Sequence, residues 1–154
     1  MIDELVLEKL EFEKILNQVS KYSATENGKN LLLNLYPTSN LTFIRTEGTL
    51  IEEAKEILNT AGHPPIDYLS DLKTVLSESR IEGAILSGNK VLEILKLAKT
   101  SRLLIQFLKS ELRDDSKLKE KLNNLFSDKL FEHQIEKIIN EQGEVKENAS
   151  NELS

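Results

Sequence analysis

Apolar residues recur three or four positions apart along almost the whole chain, and this spacing constrains the fold more than any other feature. The clearest stripe covers about five helical turns and consists of Phe43, Ile44, Leu50, Ile51, Ala54, Ile57, Leu58 and Ala61. Residues with this spacing lie on one face of a helix. No segment shows the sustained apolar–polar alternation that predicts a strand. The sequence therefore predicts an all-α, multi-helix bundle.

The same spacing predicts further helices, with ends marked by capping residues, glycine or proline. Their approximate ranges are 9–21, 23–36, 43–61, 69–80, 87–108, 115–126 and 129–140. Ser23 and Glu26 have the spacing of a capping box, in which the serine hydroxyl accepts from the glutamate amide. Gly62 suits the left-handed end of the third helix, and Ser87 is the predicted N-cap of the fifth. Residues 144–146 are expected to be briefly extended.

The helix from Val91 to Leu108 is apolar around most of its circumference. A helix of this kind is usually central to a bundle or covered by a partner. The pattern leaves both interpretations open.

Composition indicates a globular domain. The chain has 154 residues, 39% of them hydrophobic, and this length is expected to bury roughly 70% of the unfolded surface. It contains no cysteine, which excludes disulfides and thiolate chemistry within it. The start is acidic rather than signal-like, and no apolar run is long enough for a membrane span. We therefore expect a cytoplasmic protein that does not enter membranes.

No catalytic, cofactor-binding or metal-binding residue is predicted. Gly28-Lys29 is followed by Asn30 and falls within a helix, so it does not fit a phosphate-binding loop. His63 and His133 lie on different elements; His133 and Glu136 are one turn apart but are better explained as a charged, solvated face. The acid pairs on the helices, such as Glu52 and Glu56, are also typical of exposed surface.

The segment from Lys90 to Lys121 is relatively basic, although the net charge of the chain is −6. Its cations would allow contact with a nucleic-acid backbone. Acidic residues interrupt the segment and no aromatic platform accompanies it, so a solvated helical face is favoured. A nucleic-acid or ribosome contact module remains an alternative, as does an independent helical dimerisation module.

Several stretches resemble the N-terminal region of the second bacterial MutS family, which lacks the mismatch-reading domain of true MutS proteins. They are the opening Leu7–Leu16, then Thr25-Glu26-x-Gly28-Lys29, then Gly62-x-Pro64-Pro65 with Asp71-Leu72, Leu76 and Gly83-x-x-Leu86-Ser87, and finally Gly143–Lys146 with Ala149-Ser150 and Glu152-Leu153. Their order and spacing agree over almost the whole chain. The resemblance implies a MutS core, or lever-type, domain.

The resemblance also implies a larger parent protein. Such a parent is a homodimer with an ATPase that uses ATP and Mg²⁺, a clamp, and often an Smr-type endonuclease domain. Proteins of this family are associated with suppressing recombination on branched DNA and with splitting collided ribosomes. None of the family's catalytic motifs falls on this chain, so we expect this part to be non-catalytic. Its partners would be the ATPase and clamp of the same polypeptide, and through them DNA or the ribosome.

The last residues have the pattern of a helix start. Gly143 interrupts the preceding helix, Ser150 can cap a new one, and Glu152 would lie in its first turn, where the helix dipole favours an acid. We therefore expect a helical core domain over 1–142, and over 143–154 a truncated lead-in to the long lever helix.

Overall fold

The computed structural model describes residues 3–147 and 149, and this part of the chain forms eight α-helices and no sheet. The predicted all-α class is confirmed. The helices are α1 (Glu4–Lys9), α2 (Phe12–Ser20), α3 (Glu26–Leu33), α4 (Leu41–Thr60), α5 (Lys73–Glu78), α6 (Gly88–Glu111), α7 (Leu118–Leu122) and α8 (Lys129–Ile138). The predicted start of a further helix at Ser150 lies outside the described residues.

The first predicted helix, 9–21, corresponds to α2, and the structure has an additional helix, α1, before it. The chain turns between α1 and α2 at Glu11, whose φ of 53° is left-handed. Asp3 caps α1 by accepting a hydrogen bond from the Leu5 amide. No glycine or proline marks the turn, so spacing alone could not locate it.

The predicted capping box at Ser23 is wrong. Thr25 is the N-cap of α3, and its hydroxyl accepts from the Gly28 amide at 3.0 Å. The Ser23 hydroxyl instead donates to the Thr25 carbonyl. The Glu26 amide is not available to Ser23, because it donates to the Leu69 carbonyl in a short parallel bridge between residues 25 and 69.

Other local predictions agree with the structure. Gly62 has a φ of 81°, as expected for the left-handed residue after α4. Ser87 occupies the N-cap position of α6, although its side chain makes no capping hydrogen bond. The predicted extended stretch near Val145 forms an antiparallel bridge with Ile139. Helices α5 and α7 are each shorter than predicted.

The helices pack in two groups. In the first, α2 packs against both α1 and α3; in the second, α6 packs against α7 and α8, and α4 reaches α7. The bridge between Thr25 and Leu69, together with a hydrogen bond from the Asp71 amide to the Glu26 carboxylate at 2.9 Å, connects the first group to the loop before α5. Helix α6 contributes Leu95 and Ala98 to the core, so its all-round apolar pattern reflects a central position.

The core is small for a chain of this length. Its buried apolar residues in the described part are Ile57, Leu72, Leu95, Ala98, Leu122 and Ile139. The chain exposes 12016 Å², whereas a compact monomer of its mass is expected to expose about 7,900 Å². It therefore buries just over half of its unfolded surface instead of the predicted 70%. Much of the apolar content predicted to be internal remains at the surface.

Candidate interaction surface

Exposed apolar side chains concentrate in the first four helices. Fifteen of the 24 large apolar side chains that are exposed in the described part lie before residue 60, on little more than a third of the chain. Those on α1–α4 and their connections include Leu5, Leu10, Ile15, Val19, Leu31, Leu35, Phe43, Ile44, Ile51 and Leu58. Large exposed apolar patches mark interaction sites, so this concentration of exposed apolar side chains makes α1–α4 the candidate interaction surface.

The basic segment from Lys90 to Lys121 is largely neutralised within the chain. Its ion pairs join Lys90 to Glu78, Lys99 to Glu136, Arg102 to Glu132, Arg113 to Glu56, and Lys119 to Asp114. Lys96 donates to the backbone carbonyl of Tyr68 at 2.8 Å. A phosphate backbone would have to compete with these internal acceptors. The segment does not present the uninterrupted row of cations that is typical of nucleic-acid binding.

Arg102 and Glu132 form the most enclosed of these pairs. Nε of Arg102 lies 2.7 Å from one Glu132 oxygen, and a terminal guanidinium nitrogen lies 3.0 Å from the other. The side chains are only 17% and 7% exposed. This two-pronged hydrogen bonding raises the pKa of Arg102 further and fixes α8 on α6 in one register.

A cleft of about 630 Å³ lies between α6, α8 and the loop that contains Pro65. Leu92, Leu95 and Leu103 form much of its apolar wall. Its lysines are engaged: Lys99 pairs with Glu136, and Lys146 donates to the Glu136 carbonyl at 2.6 Å. The cleft therefore holds paired charges over an apolar floor and is not organised to bind an anion.

Glu53 ties α4 to the beginning of α7. Its carboxylate accepts hydrogen bonds from the Ser116 hydroxyl at 2.8 Å and from the amides of Lys117 and Leu118 at 3.1 and 3.0 Å. Burial alone would raise the pKa of Glu53, but these hydrogen bonds and nearby Arg113 outweigh it and lower the pKa. The carboxylate acts as an N-cap supplied from another helix, which satisfies amides that α7 leaves unpaired.

The other candidate site residues named in the sequence analysis do not converge on one site in the described part of the chain. Gly28 and Lys29 lie inside α3, as predicted. His133 lies near Glu136, but the Glu136 carboxylate accepts a hydrogen bond from Lys99, which lowers its pKa. Within 3–147 and 149 there is no group of three potential metal ligands. The prediction that this chain carries no catalytic, cofactor or metal residue stays a prediction.

Glu53 and the Arg102–Glu132 pair were not predicted. Each joins positions at least 30 residues apart, and helical periodicity contains no information on such pairs. A weak signal exists for Glu53 alone, because it adjoins the apolar stripe of α4 rather than standing opposite it.

The sequence is similar over nearly its whole length to proteins named endonuclease MutS2. It is 33% identical over 160 residues to the protein of Halothermothrix orenii, with 99% of this chain and 20% of that protein covered. It is 31% identical over 154 residues to the Clostridium beijerinckii protein, with the same coverage. The chain corresponds to the N-terminal region of MutS2-type proteins. The resemblance inferred from the sequence is thereby confirmed.

The putative endonuclease MutS2 of Bacillus subtilis is a third relative, 28% identical over 155 residues. The chain spans about one fifth of the length of these MutS2-type relatives. No family model matches the chain, and no solved structure matches it. Among the described helices, none combines the length and apolar character that crossing a membrane requires.

Proposed function

We propose that this chain is a non-catalytic helical core, or lever, region of a MutS2-type DNA-binding ATPase and endonuclease. The observation that carries the proposal is the large apolar surface left open on α1–α4 in a chain related to one fifth of a longer protein. An independent globular domain of this length would bury much more of that surface. A region that packs against the rest of its own polypeptide does not need to bury that apolar surface by itself.

The proposed role is mechanical. The ATPase and the clamp of the parent would be joined through this region, and packed helices move as rigid bodies rather than deforming continuously. The Arg102–Glu132 pair, which holds α8 on α6, and the Glu53 cap, which holds α7 on α4, both favour such rigid-body movement. Nucleotide binding at the ATPase would then be transmitted as a shift of the whole helical group.

The activities of the parent are part of the proposal. We propose a cytoplasmic homodimer that uses ATP and Mg²⁺ in its ATPase domain and cleaves nucleic acid in an Smr-type domain. Through the parent, this region would serve the suppression of homologous recombination on branched DNA and the splitting of collided ribosomes. The name endonuclease carried by the relatives supports the nuclease assignment.

Insertion of a short glycine-rich segment after Gly143, in the full-length protein, tests the mechanical role. We expect nucleotide-dependent opening of the clamp, measured as a change in distance between two labels on it, to be lost. The matched control is the same insertion after Ile85, which lies in an exposed loop and should leave opening intact. Normal opening with the insertion after Gly143 would contradict the proposal.

A further inference from the structure

The apolar stripe of α4 is covered along one edge and open along the other. Leu50, Ala54 and Ile57 are buried or half-buried, on the side where Glu53 reaches α7. Ile44, Ile51 and Leu58 belong to the same stripe but are 45%, 59% and 43% exposed. We call these three residues the open edge of α4.

The open edge has the spacing of a helix-pairing seam. Its three residues are seven positions apart, so they form a nearly straight line along α4. Glu47 and Lys55 are exposed and flank this line on opposite sides, like the charged positions that border the seam of a coiled coil. A second helix is the kind of partner that fits such a line.

Gly48 provides an independent indication of close approach. It lies one turn from both Ile44 and Ile51, in the interior of α4. A Cβ atom placed on it would meet nothing within 4 Å. Glycine destabilises a helix interior relative to alanine, and it is tolerated where another backbone comes close. Packing within the described residues gives no reason for glycine here, whereas a closely packed partner helix would.

We propose that the open edge of α4 docks a helix contributed by the remainder of the MutS2-type polypeptide. The relatives are about five times as long as this chain, so they contain ample sequence for such a helix. The exposed area exceeds that of a compact monomer by roughly 4,000 Å². A standard interface buries about 800 Å² per partner, so pairing with a second copy would leave most of the excess uncovered.

Cysteine labelling of the open edge tests the docking directly, since the chain itself has no cysteine. Ile51→Cys is placed in the isolated chain and in the full-length protein after its other cysteines are replaced by serine. We expect a maleimide to react at least about tenfold more slowly with the full-length variant, because reaction then requires local opening. The control is Ile85→Cys, at a 95% exposed position, which should react equally in both.

Two results would overturn the proposal. Equal reactivity of Ile51→Cys in the isolated chain and in the full-length protein would show that nothing covers the open edge. Protection that increases with the concentration of the isolated chain would identify a second copy as the occupant. Gly48→Ala adds a readout without labelling: it should raise the unfolding midpoint of the isolated chain, and lower that of the full-length protein if a helix packs closely there.

The proposal rests on the proposed function, but the two fail differently. Labelling is carried out without nucleotide, so it reports docking alone. A region that docks but does not transmit would show protection of Ile51→Cys together with clamp opening that is insensitive to the Gly143 insertion. An undocked open edge would remain reactive whatever the clamp does.

Discussion

The carbonyl oxygen of Gly143 occupies the space in which a side chain on Gly88 would have to begin. Gly88 is the first residue of α6, and Gly143 lies in the turn after α8 with a φ of 78°. The Asn89 side chain borders the same turn from α6. Two glycines far apart in sequence therefore allow two backbones to touch, and this contact holds the 140–146 turn against the start of α6.

Gly88→Ala should destabilise the chain by about 2–3 kcal/mol, because the new methyl group overlaps backbone rather than a movable side chain. Thermal unfolding followed by circular dichroism measures the effect. The expected decrease in the midpoint is roughly 5–10 °C for a chain of this size. An unchanged midpoint would show that the turn moves away without cost.

Gly48→Ala is the matched control, since Gly48 is also a helical glycine but has open space around it. In the isolated chain it should stabilise α4 by about 0.5–1 kcal/mol through helix propensity alone. If Gly88→Ala lowers the free energy of unfolding and Gly48→Ala raises it, the effect of the backbone contact is separated from that of helix propensity.

Removal of one member of the Arg102–Glu132 pair should be costly. Glu132→Leu leaves the Arg102 guanidinium enclosed without its partner, and we expect a loss of about 3 kcal/mol in the free energy of unfolding. The double variant Arg102→Met, Glu132→Leu should recover most of this loss, because neither charge is then left unpaired. Urea denaturation of the unsubstituted chain, the single variant and the double variant measures the loss and its recovery.

The exposed pair between Arg113 and Glu56 provides the comparison. Its side chains are 68% and 55% exposed, so Arg113→Met should cost less than about 1 kcal/mol. If Glu132→Leu and Arg113→Met lowered the free energy of unfolding equally, burial would not be what makes the Arg102–Glu132 pair important.

Glu53→Gln should destabilise the chain at neutral pH and have little effect in acid. The folded state lowers the pKa of Glu53, so its carboxylate stabilises the fold above the unfolded pKa of about 4.3. That contribution is lost as the pH falls through the lowered folded value. We expect a difference of about 1–2 kcal/mol at pH 7 that shrinks on acidification.

Free energies of unfolding measured at several pH values between neutral and acid test this dependence. Glu47→Gln is the control for the substitution itself, because Glu47 is an exposed acid on the same helix. A Glu53→Gln difference that stays constant with pH would contradict the role assigned to the charge.

Ser101→Ala should leave stability unchanged or increase it by up to about 1 kcal/mol. The Ser101 hydroxyl is buried in α6 and makes no hydrogen bond to the described part of the chain. Its removal ends an uncompensated burial of a polar group and improves helix propensity. Ser20→Ala is the comparison: that hydroxyl is also buried but donates to the Asn17 carbonyl at 3.0 Å, so its loss should destabilise.

Sequence was sufficient for features whose cause is local. The stripe on α4 and the left-handed Gly62 that follows it depend on residues within a few turns, and the structure agrees with both. The apolar circumference of α6 left a central and a partner-covered position both open, and the structure buries its Leu95 and Ala98. Local patterns could not show which part of the α4 stripe would be covered, because coverage depends on where α7 lies.

Features that depend on distant partners were missed or misread. The capping box at Ser23 had the right spacing, but Leu69, more than 40 positions away, takes the amide that the box requires. The basic segment was predicted to be a solvated face, but helical spacing did not show that Glu56, Glu78, Glu132 and Glu136 on other elements would pair with its cations. The left-handed turn at Glu11 lacks the glycine that usually signals one.

The cap that Glu53 provides also has a consequence for the order of events during synthesis. Helix α7 has five residues, too few to form stably without tertiary contacts. Its first amides are satisfied by a carboxylate that precedes Leu118 by 65 positions. Because α4 leaves the ribosome before α7, the Glu53 carboxylate is already present when the α7 segment emerges. The short helix can therefore form as soon as it has been synthesised.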